Sequence, residues 1–398
     1  MAPKIAYFAH DLTDPAVERR IRMLELGGAT VKLLGFRRSP NSVAKVGTLP
    51  VIDLGRTQDG MLARRAISVV AALVRLDIVA EYVRGCDVIL ARNLEMLVLA
   101  VRARNLYAPR ARLVFECLDV HSMLVSDHSA GRLLRFLETR LWGNVDMLLT
   151  SSPAFVHNYF APRGCRLPVK IVENKLFPLD HGNYSAHRRR PEGPPWRIGW
   201  FGMIRCRKSL DILTALARSM RGAVEIVIRG RPSAVVFANF ENSIRDRPYI
   251  AYAGPYRNPH DLPDIYQQVH FAWAIDFFEK GKNSAWLLPN RLYESLAYGA
   301  VPIGLAGVET GSWLKQQQAG VVISEPLEEQ LIAFFQNLNH GSYARLVEAV
   351  DTIPRAKLVT GRAECADLVD ALHKGILSTE THLSDQSRGL HKSLRATT

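Results

Sequence analysis

Short apolar runs alternate with longer stretches of helical periodicity along the first half of the chain. The first run is Ile5 to Ala9, and Asp14-Pro15 then supply a cap and a first-turn proline for a helix that reaches Gly27. Further strands are predicted at residues 31–36, 88–91, 113–116 and 146–150, with helices between most of them, including 95–104 and 132–142. Strands that alternate with helices predict a doubly wound parallel sheet.

The same α/β alternation restarts at Arg197. Strands are predicted at residues 197–201, 224–228, 269–274, 301–305 and 321–323, and helices at 208–220, 261–267, from 290 on, near 313 and at 327–338. A polar, basic and proline-rich segment, residues 179–196, precedes this second half and is typical of a linker. The alternative is a long surface loop within a single domain.

A chain of 398 residues exceeds what one hydrophobic core usually serves. We therefore predict a first domain over residues 1–178, the linker 179–196 and a second domain over 197–360. A last helix is predicted over residues 361–377, and the polar, aperiodic residues 378–398 are predicted to be disordered.

The formal net charge is +13, and most of the excess lies in the first half. A basic half can attract anionic lipid or an acceptor that carries phosphate. Nucleic acid is not an expected partner, because the arginines are scattered and no nucleic-acid-binding motif accompanies them. No apolar run approaches the roughly 18 residues that span a bilayer, and no signal peptide precedes the first strand. We expect a cytoplasmic protein.

The segment from Pro289 to Gly304 combines a cation, a carboxylate, a helix start and a strand. Asn290 is predicted to cap a short helix and Gly299 to end it. Arg291 would lie in the first turn, where unpaired backbone N–H groups favour phosphate, and Glu294 one turn further could accept hydrogen bonds from a ribose diol. The alternative is an ordinary capped helix whose two charges pair with each other.

A second cationic element opens the second half. The strand 197–201 runs into a loop with Gly202 and Arg205, and Lys208 starts the next helix. Positive charge at the carboxyl edge of a sheet is placed to bind the phosphate groups of a ligand. A solvated basic turn is the alternative, but two cationic helix starts in one predicted domain favour phosphate binding.

Together these elements resemble the nucleotide-sugar site of GT-B glycosyltransferases, especially the family 4 enzymes of bacterial polysaccharide pathways. In that family a Pro-Asn-Lys/Arg-Leu-hydrophobic-Glu run binds the donor, and a short helix, a glycine and a proline follow it. In this chain the run is residues 289–294. The resemblance covers about residues 4–338 and is closest to glycosyltransferases of rhizobial, succinoglycan-type exopolysaccharide assembly. It implies two Rossmann-like domains that face each other across a cleft, and a last helix, residues 361–377, that crosses back to the first domain.

The resemblance also implies roles for individual residues. Arg205, Lys208 and Arg291 would hold phosphates and Glu294 the ribose, and the other residues of the expected nucleotide-sugar site are Gly202, Asn283 and Asn290. One position departs from the family, whose members commonly have two glutamates separated by seven residues. Trp286 stands where the first glutamate is expected, and the polar loop before it offers three nearby candidates, Asp276, Glu279 and Asn283. Stereochemistry is therefore left open.

Metal and cofactor chemistry is not expected. The glycine-rich dinucleotide motif and the P-loop motif do not occur. Asp-x-Asp, with which GT-A glycosyltransferases usually hold their metal, is missing as well. The five cysteines have no zinc-binding spacing and are expected to be free, mostly buried thiols. We predict no metal and no other cofactor.

The acceptor side is predicted in the first half. His10 and Asp11 follow the first strand, and Asp119 and His121 follow the strand 113–116. The carboxyl ends of parallel strands lie at one edge of a sheet, so these four residues are the candidates for a catalytic base. A structural hydrogen bond is the alternative for each, and related enzymes often have Asp-x-His after the corresponding strand.

The helix predicted from Leu62 to Arg75 has basic ends and apolar positions between them. It could lie on an anionic membrane face, but a buried crossover helix with basic ends is the favoured interpretation.

The resemblance predicts an enzyme, a glycosyltransferase that moves a hexose, expected to be glucose, from a nucleoside-diphosphate sugar. The expected acceptor is a growing lipid-pyrophosphate-linked oligosaccharide of exopolysaccharide biosynthesis, with peripheral contact to the inner membrane face. Two alternatives stay open. One is a nucleotide-sugar epimerase on the same scaffold, and the other is a non-catalytic sugar-nucleotide-binding subunit of a polysaccharide assembly complex.

Overall fold

The computed structural model describes residues 1–57, 62–177 and 190–376, without the side chains of residues 62–64. The chain divides into two compact units. Unit 1 comprises residues 1–172 and the segment from Gly361 onward, and unit 2 comprises residues 173–360. Only residues 190–196 of the predicted linker are described, and the predicted tail, 378–398, lies outside the described residues.

Unit 1 is built on a mainly parallel sheet. Its described strands are β1 Lys4–Ala9, β2 Thr30–Arg37, β3 Lys45–Val46, β4 Leu49–Arg56, β5 Val88–Arg92, β6 Arg112–Cys117, β7 Met147–Thr150 and β8 Val169–Ile171. They form one sheet in the order β3-β4-β2-β1-β5-β6-β7-β8. Every pairing is parallel except the β3–β4 hairpin. The predicted parallel α/β class is confirmed for this unit.

Helices connect these strands. They are α1 Pro15–Leu26, α2 Leu62–Val74, α3 Ala80–Val83, α4 Leu94–Tyr107, α5 Ser129–Trp142 and α6 Pro153–Phe155, which continues into π and 3₁₀ turns over Val156–Phe160 and Ala161–Arg163. Single 3₁₀ turns occupy Leu76–Val79 and Ser122–Val125. The predicted start of α1 is confirmed, because the Asp14 carboxylate accepts a hydrogen bond of 2.8 Å from the Ala16 N–H.

The apolar pattern of β1 explains its central position. Residues 5–9 are completely buried, as the middle of a parallel sheet covered on both faces requires. The strand β4, second from the edge, was not predicted from the sequence, because Pro50, Asp53 and Gly55 interrupt its apolar run and none of its residues is fully buried. The hairpin partner β3 has two residues and carries no sequence pattern of its own.

The orientation of α2 contradicts the favoured interpretation of a buried crossover helix. Ile67, Val70 and Val74 are 68%, 59% and 80% exposed. The helix contacts β4 and α4 on one side, and these three side chains, at helical spacing, lie on the other. An amphipathic pattern shows that a helix has an apolar face but not what covers that face.

Unit 2 repeats the doubly wound arrangement. Its described strands are β9 Trp196–Ile204, β10 Val224–Pro232, β11 Ile250–Tyr252, β12 Phe271–Trp273, β13 Val301–Leu305 and β14 Val321–Ile323. They form a sheet in the order β11-β10-β9-β12-β13-β14, with every pairing parallel. The strand order reverses between β9 and β12, and this is the topological switch point at which such sheets bind ligands.

The helices of unit 2 agree with the sequence pattern in most places. They are α7 Arg207–Ser219, α8 Phe240–Ile244, α9 Leu262–Tyr266, α10 Asn283–Trp286, α11 Asn290–Tyr298, α12 Glu309–Gln316, α13 Leu327–Asn337 and α14 His340–Asp351, with a 3₁₀ turn at Arg355–Lys357. The last helix, α15 Arg362–Lys374, returns to unit 1 and packs against α1. A side chain at Gly27 would begin only 2.3 Å from the Cys365 carbonyl oxygen, so the two helices need a glycine there.

Three details of the sequence interpretation can be judged directly. The glycine end of α11 is confirmed, since Gly299 adopts a left-handed φ of 87°. The predicted cap role of Asn290 is wrong, because Pro289 occupies the cap position and its carbonyl accepts the Leu292 N–H at 3.0 Å. The placement of Gly202 in a loop is also wrong, because β9 continues to Ile204.

The expected state of the cysteines is confirmed. All five are free thiols, and four of them are buried.

Candidate functional site

Predicted phosphate-binding residues meet at the switch point of unit 2. Arg205 directly follows β9, Asp276 lies three residues beyond β12, and Arg291 lies in the first turn of α11. Because β9 and β12 are neighbours in a parallel sheet, their carboxyl ends bring the following residues together. The sequence pattern placed Arg205 and Arg291 in one domain, and the structure places them on one carboxylate.

That carboxylate is Asp276, and with Arg205 and Arg291 it forms what we call the Asp276 cluster. Its Oδ2 lies 3.1 Å from a guanidinium nitrogen of Arg205 and 3.4 Å from one of Arg291. Its Oδ1 accepts the Phe278 N–H at 2.8 Å. Burial of Asp276 raises the pKa of its carboxyl, but Arg291, Arg205 and this backbone bond outweigh burial, so the pKa is lowered overall. The carboxylate therefore stays ionised and orients both guanidinium groups.

Lys208 lies in the first turn of α7, beside the same loop. Its Nζ is 4.6 Å from the ring centroid of Phe277, and the Arg205 guanidinium carbon is 4.9 Å from the centroid of Phe278. Two adjacent aromatic side chains thus contact two of the predicted phosphate-binding cations. Lys208 pairs with Glu325 at 3.8 Å, and Lys280 lies 3.4 Å from the same carboxylate.

Glu294 is buried one turn along α11, where its two carboxylate oxygens are bound by different residues. Tyr266 donates its hydroxyl to Oε2 at 2.9 Å, and the Asn258 side-chain amide donates to Oε1 at 3.4 Å. Burial and then Glu294 raise the pKa of Tyr266, so its hydroxyl keeps the proton that it donates. Sequence reasoning missed Tyr266 and Asn258, since no local motif indicates that α9 packs against α11.

The remaining predicted donor residues lie in the same unit. Gly202 has a φ of 108°, and its carbonyl oxygen would lie 1.8 Å from a side-chain carbon built on Gly230 of the neighbouring strand, so this backbone approach requires a glycine at 230. Asn283 is buried and begins α10, and Asn290 begins α11. Within residues 1–57, 62–177 and 190–376, no three His, Cys, Asp or Glu side chains are grouped to hold a metal ion, and the lack of a metal cofactor stays a prediction.

The four candidates for a base lie at the carboxyl edge of the unit 1 sheet. His10 and Asp11 follow β1, Asp119 and His121 follow β6, and β5 runs between those two strands. The structure therefore places them as two pairs on either side of the end of β5.

The four differ in environment. Asp11 is buried, and its Oδ1 accepts from the backbone N–H and the hydroxyl of Thr13 at 3.0 and 2.6 Å, which is the pattern of a structural turn. Asp119 and His121 are exposed, and the Nδ1 of His121 accepts the Met123 N–H at 3.2 Å.

A buried ionic network under this edge was missed entirely. The Glu116 carboxylate accepts from the Nε of Arg20 at 2.6 Å, from the Nε of Arg92 at 2.7 Å and from the Tyr7 hydroxyl at 2.8 Å. The residues come from β1, α1, β5 and β6, so the network ties the centre of unit 1 together. The sequence offers one local sign of this network, a glutamate within an otherwise apolar strand.

Comparison with known proteins agrees with this architecture. The succinoglycan biosynthesis protein ExoL of Rhizobium meliloti (strain 1021) is 43% identical over 374 residues, which cover 93% of this chain and 93% of ExoL. No protein-family model matches the chain.

Two solved structures have a similar fold. The apo form of the lipopolysaccharide outer core galactosyltransferase WaaB has a TM-score of 0.64 at 13% identity and covers 94% of this chain and 100% of its own. HepE of Anabaena, in complex with UDP and glucose, also has a TM-score of 0.64 at 13% identity, and the match covers 94% of this chain and 100% of HepE.

The two parallel-sheet units have the fold of the GT-B glycosyltransferases, as the sequence resemblance predicted. Within that class, the chain belongs to the family of the succinoglycan biosynthesis protein ExoL. In the part of the chain that the structure describes, no helix has both the length and the apolar character to cross a membrane.

Proposed function

We propose that the chain transfers a sugar from a nucleoside-diphosphate sugar, bound on unit 2, to a carbohydrate acceptor in exopolysaccharide biosynthesis. The Asp276 cluster is the observation that carries the proposal. It fixes two guanidinium groups at the switch point of a doubly wound sheet, where such folds bind nucleotides. The relationship to ExoL, whose name assigns it to succinoglycan biosynthesis, supports the biological setting.

The proposed chemistry is stabilisation of the leaving group. As the glycosidic bond breaks, negative charge accumulates on the β-phosphate, and fixed cations lower the energy of that state more than the energy of the ground state. Arg205, Lys208 and Arg291 are the proposed cations, and Glu294 the proposed ribose ligand. These cations supply positive charge where a metal would otherwise act, so we propose that no metal takes part.

The sugar and the acceptor are more specific proposals. We take glucose as the first donor sugar to test, because HepE, of similar fold, is seen with UDP and glucose. The acceptor is proposed to be a lipid-linked oligosaccharide bound on unit 1. Asp119 and His121 are the proposed candidates for a base, because they are exposed at the carboxyl edge of the sheet. Burial and nearby arginines lower the pKa of His10 to about 3, which makes it a poor base at neutral pH.

A thermal-shift panel of nucleoside-diphosphate sugars tests the donor site. A ligand present at 100 times its Kd stabilises the folded state by about 2.7 kcal/mol, and we expect this from one member of the panel. In Glu294→Gln the shift should be largely lost, because the amide no longer accepts from a ribose diol with both oxygens. Tyr266→Phe is the matched control, since it removes one hydrogen bond to Glu294 but leaves the carboxylate. An undiminished shift in Glu294→Gln would refute the ribose role.

A product assay separates this function from a second candidate. Trp286, at the position of an expected glutamate, favours a non-catalytic subunit that binds sugar nucleotide. Tight donor binding without turnover on any acceptor would identify that subunit. Conversion of the donor sugar without any acceptor would instead identify an epimerase.

We also propose peripheral contact with an anionic membrane through α2. The three exposed apolar side chains Ile67, Val70 and Val74 share that helix with Arg65, and Arg75 directly follows it, a composition that suits an anionic bilayer surface. The triple variant Ile67→Ser/Val70→Ser/Val74→Ser should sediment less with vesicles that contain phosphatidylglycerol. Val235→Ser, at a 95% exposed valine of unit 2, is the control. Equal sedimentation of the triple variant and the wild type would exclude α2 as the contact.

A further inference from the structure

The sheet of unit 1 has its own switch point, which the proposed donor site does not use. Its strand order reverses between β1 and β5, and Phe8 pairs with Ala91 in the parallel register. His10 directly follows β1 and Asn93 directly follows β5, so both lie at the edge where doubly wound sheets bind ligands. No role in donor binding has been given to this position.

His10 is buried, and one of its two ring nitrogens has no hydrogen-bond partner among the described residues. Its side chain is 10% exposed, and among the described residues its Nδ1 has no hydrogen-bond partner. Its Nε2 lies 3.7 Å from the Asp14 carboxylate, beyond hydrogen-bond distance. A buried nitrogen left unpaired costs stability, so its presence calls for a ligand or a bound water.

Positively charged groups have a larger effect on the pKa of the His10 imidazole than negatively charged groups do. Burial and then Arg92, Arg38 and Arg65 lower its pKa to about 3, and Glu116 opposes them more weakly. Each arginine also faces a carboxylate: Arg92 faces Glu116 and Asp14, Arg38 faces Asp11, and Arg65 faces Glu95. Asp11 is the residue after His10 and Glu95 lies in the first turn of α4, so Arg38 and Arg65 are held near this edge by their partners.

Asn93 adds a helix start to the same place. It is the cap residue of the 14-residue helix α4, but its side chain makes no capping hydrogen bond. Its φ of 70° is a left-handed conformation that costs energy in a residue other than glycine. The first turn of α4 presents backbone N–H groups and the positive end of the helix dipole.

We propose that His10, Asn93 and the start of α4, with Arg38 and Arg65 beside them, form a second anion site that binds a phosphate or diphosphate group of the acceptor. The identification of the ligand as acceptor rests on the proposed function, whereas the site itself does not. A helix start and a neutral imidazole N–H both donate to phosphate oxygens. The acceptor would then be held by its phosphate on unit 1, and the donor by its own phosphates on unit 2.

The test is a titration of the full-length protein with inorganic pyrophosphate, followed by NMR of labelled histidine side chains. The His10 resonance is assigned as the one missing in His10→Gln. The donor site is silenced by Arg291→Gln, and in that background we expect a saturable shift of the His10 resonance. Arg38→Gln should weaken the binding by about tenfold or more, as expected when one charge-assisted contact is lost.

Further variants separate a specific site from general electrostatics. Arg65→Gln combined with Glu95→Gln removes the second arginine without leaving its partly buried partner charged, and it should weaken binding to a similar degree. Arg84→Gln removes an exposed arginine that lies over Tyr107 and should have no effect. Farnesyl diphosphate in place of pyrophosphate identifies the source: tighter binding indicates a lipid-linked diphosphate, and equal binding a water-soluble one.

The proposal is overturned if pyrophosphate leaves the His10 resonance unmoved, or if Arg291→Gln abolishes the binding and Arg38→Gln does not change it. A protein that binds pyrophosphate at His10 but no nucleotide sugar would keep the anion site and refute the proposed function. A protein that binds a nucleotide sugar but no pyrophosphate at His10 would keep the proposed function and refute the anion site.

Discussion

Lys208→Ala is expected to lower kcat by about 100- to 1000-fold, the usual effect of removing one group that stabilises transition-state charge. The fold should tolerate this change. The side chain is 46% exposed, and its ion pair with Glu325 spans 3.8 Å, so the pair contributes little to stability. The measurements are steady-state transfer kinetics and the unfolding temperature of the same preparations.

Lys280→Ala is the matched control for this variant. It removes the same charge, and Lys280 pairs with the same Glu325 carboxylate, at 3.4 Å, but its side chain is 60% exposed. Activity within about twofold of wild type is expected, as for a change in exposed charge alone. Equal losses in the two variants would show that net charge near Glu325 matters and would remove Lys208 from the chemistry.

Glu116→Gln is expected to destabilise the protein by about 3–5 kcal/mol, because it leaves Arg20 and Arg92 buried without their shared counter-charge. For a unit of this size the loss corresponds to a fall in unfolding temperature on the order of 10 °C. Glu18→Gln is the control in the same unit. Its pair with Arg22 lies on the surface of α1, and it should cost no more than about 1 kcal/mol.

The contribution of Glu116 should also depend on pH in a definite direction. Burial raises the pKa of its carboxyl, but Arg92, Arg20 and hydrogen bonds outweigh burial and lower the pKa from 4.5 to about 2. A lowered pKa stabilises the folded state above the unfolded value, and this stabilisation is lost as the pH falls from about 4.5 towards 2. Urea unfolding of wild type and Glu116→Gln should therefore converge at acidic pH. A constant difference between pH 6 and pH 3 would contradict this account.

Local sequence signals predicted the parts of this molecule that depend on neighbouring residues. The Asp14 cap, the end of α11 at Gly299 and the strand β1 each rest on residues adjacent in sequence, and each is confirmed. Asn290 shows the limit of such signals. A good capping residue loses the cap position when a proline before it already has the extended backbone that a cap requires.

The contacts that define the candidate site join residues that are far apart in sequence. Arg205 and Asp276 are 71 residues apart, and Tyr266 reaches Glu294 across 28. Such pairs depend on strand order and helix packing, which single-residue patterns do not encode. The resemblance to a known family supplied Arg205, Lys208, Arg291 and Glu294. Asp276 was named only as a candidate for the missing glutamate, not as the carboxylate that joins two of these cations. The sequence therefore predicted the kind of site, but it did not predict which pairs of residues are in contact.

The return of α15 to unit 1 affects the order in which the chain acquires its structure during synthesis. Cys365, Leu368 and Leu372 are buried, and they belong to a unit whose other residues end at Val172. Unit 2 is continuous, and its two ends are already paired, with Leu176 bonded to Leu358 and Thr360. The ribosome therefore completes the later unit before the earlier one. Until the last helix emerges, the part of α1 that it packs against is uncovered on the nascent chain.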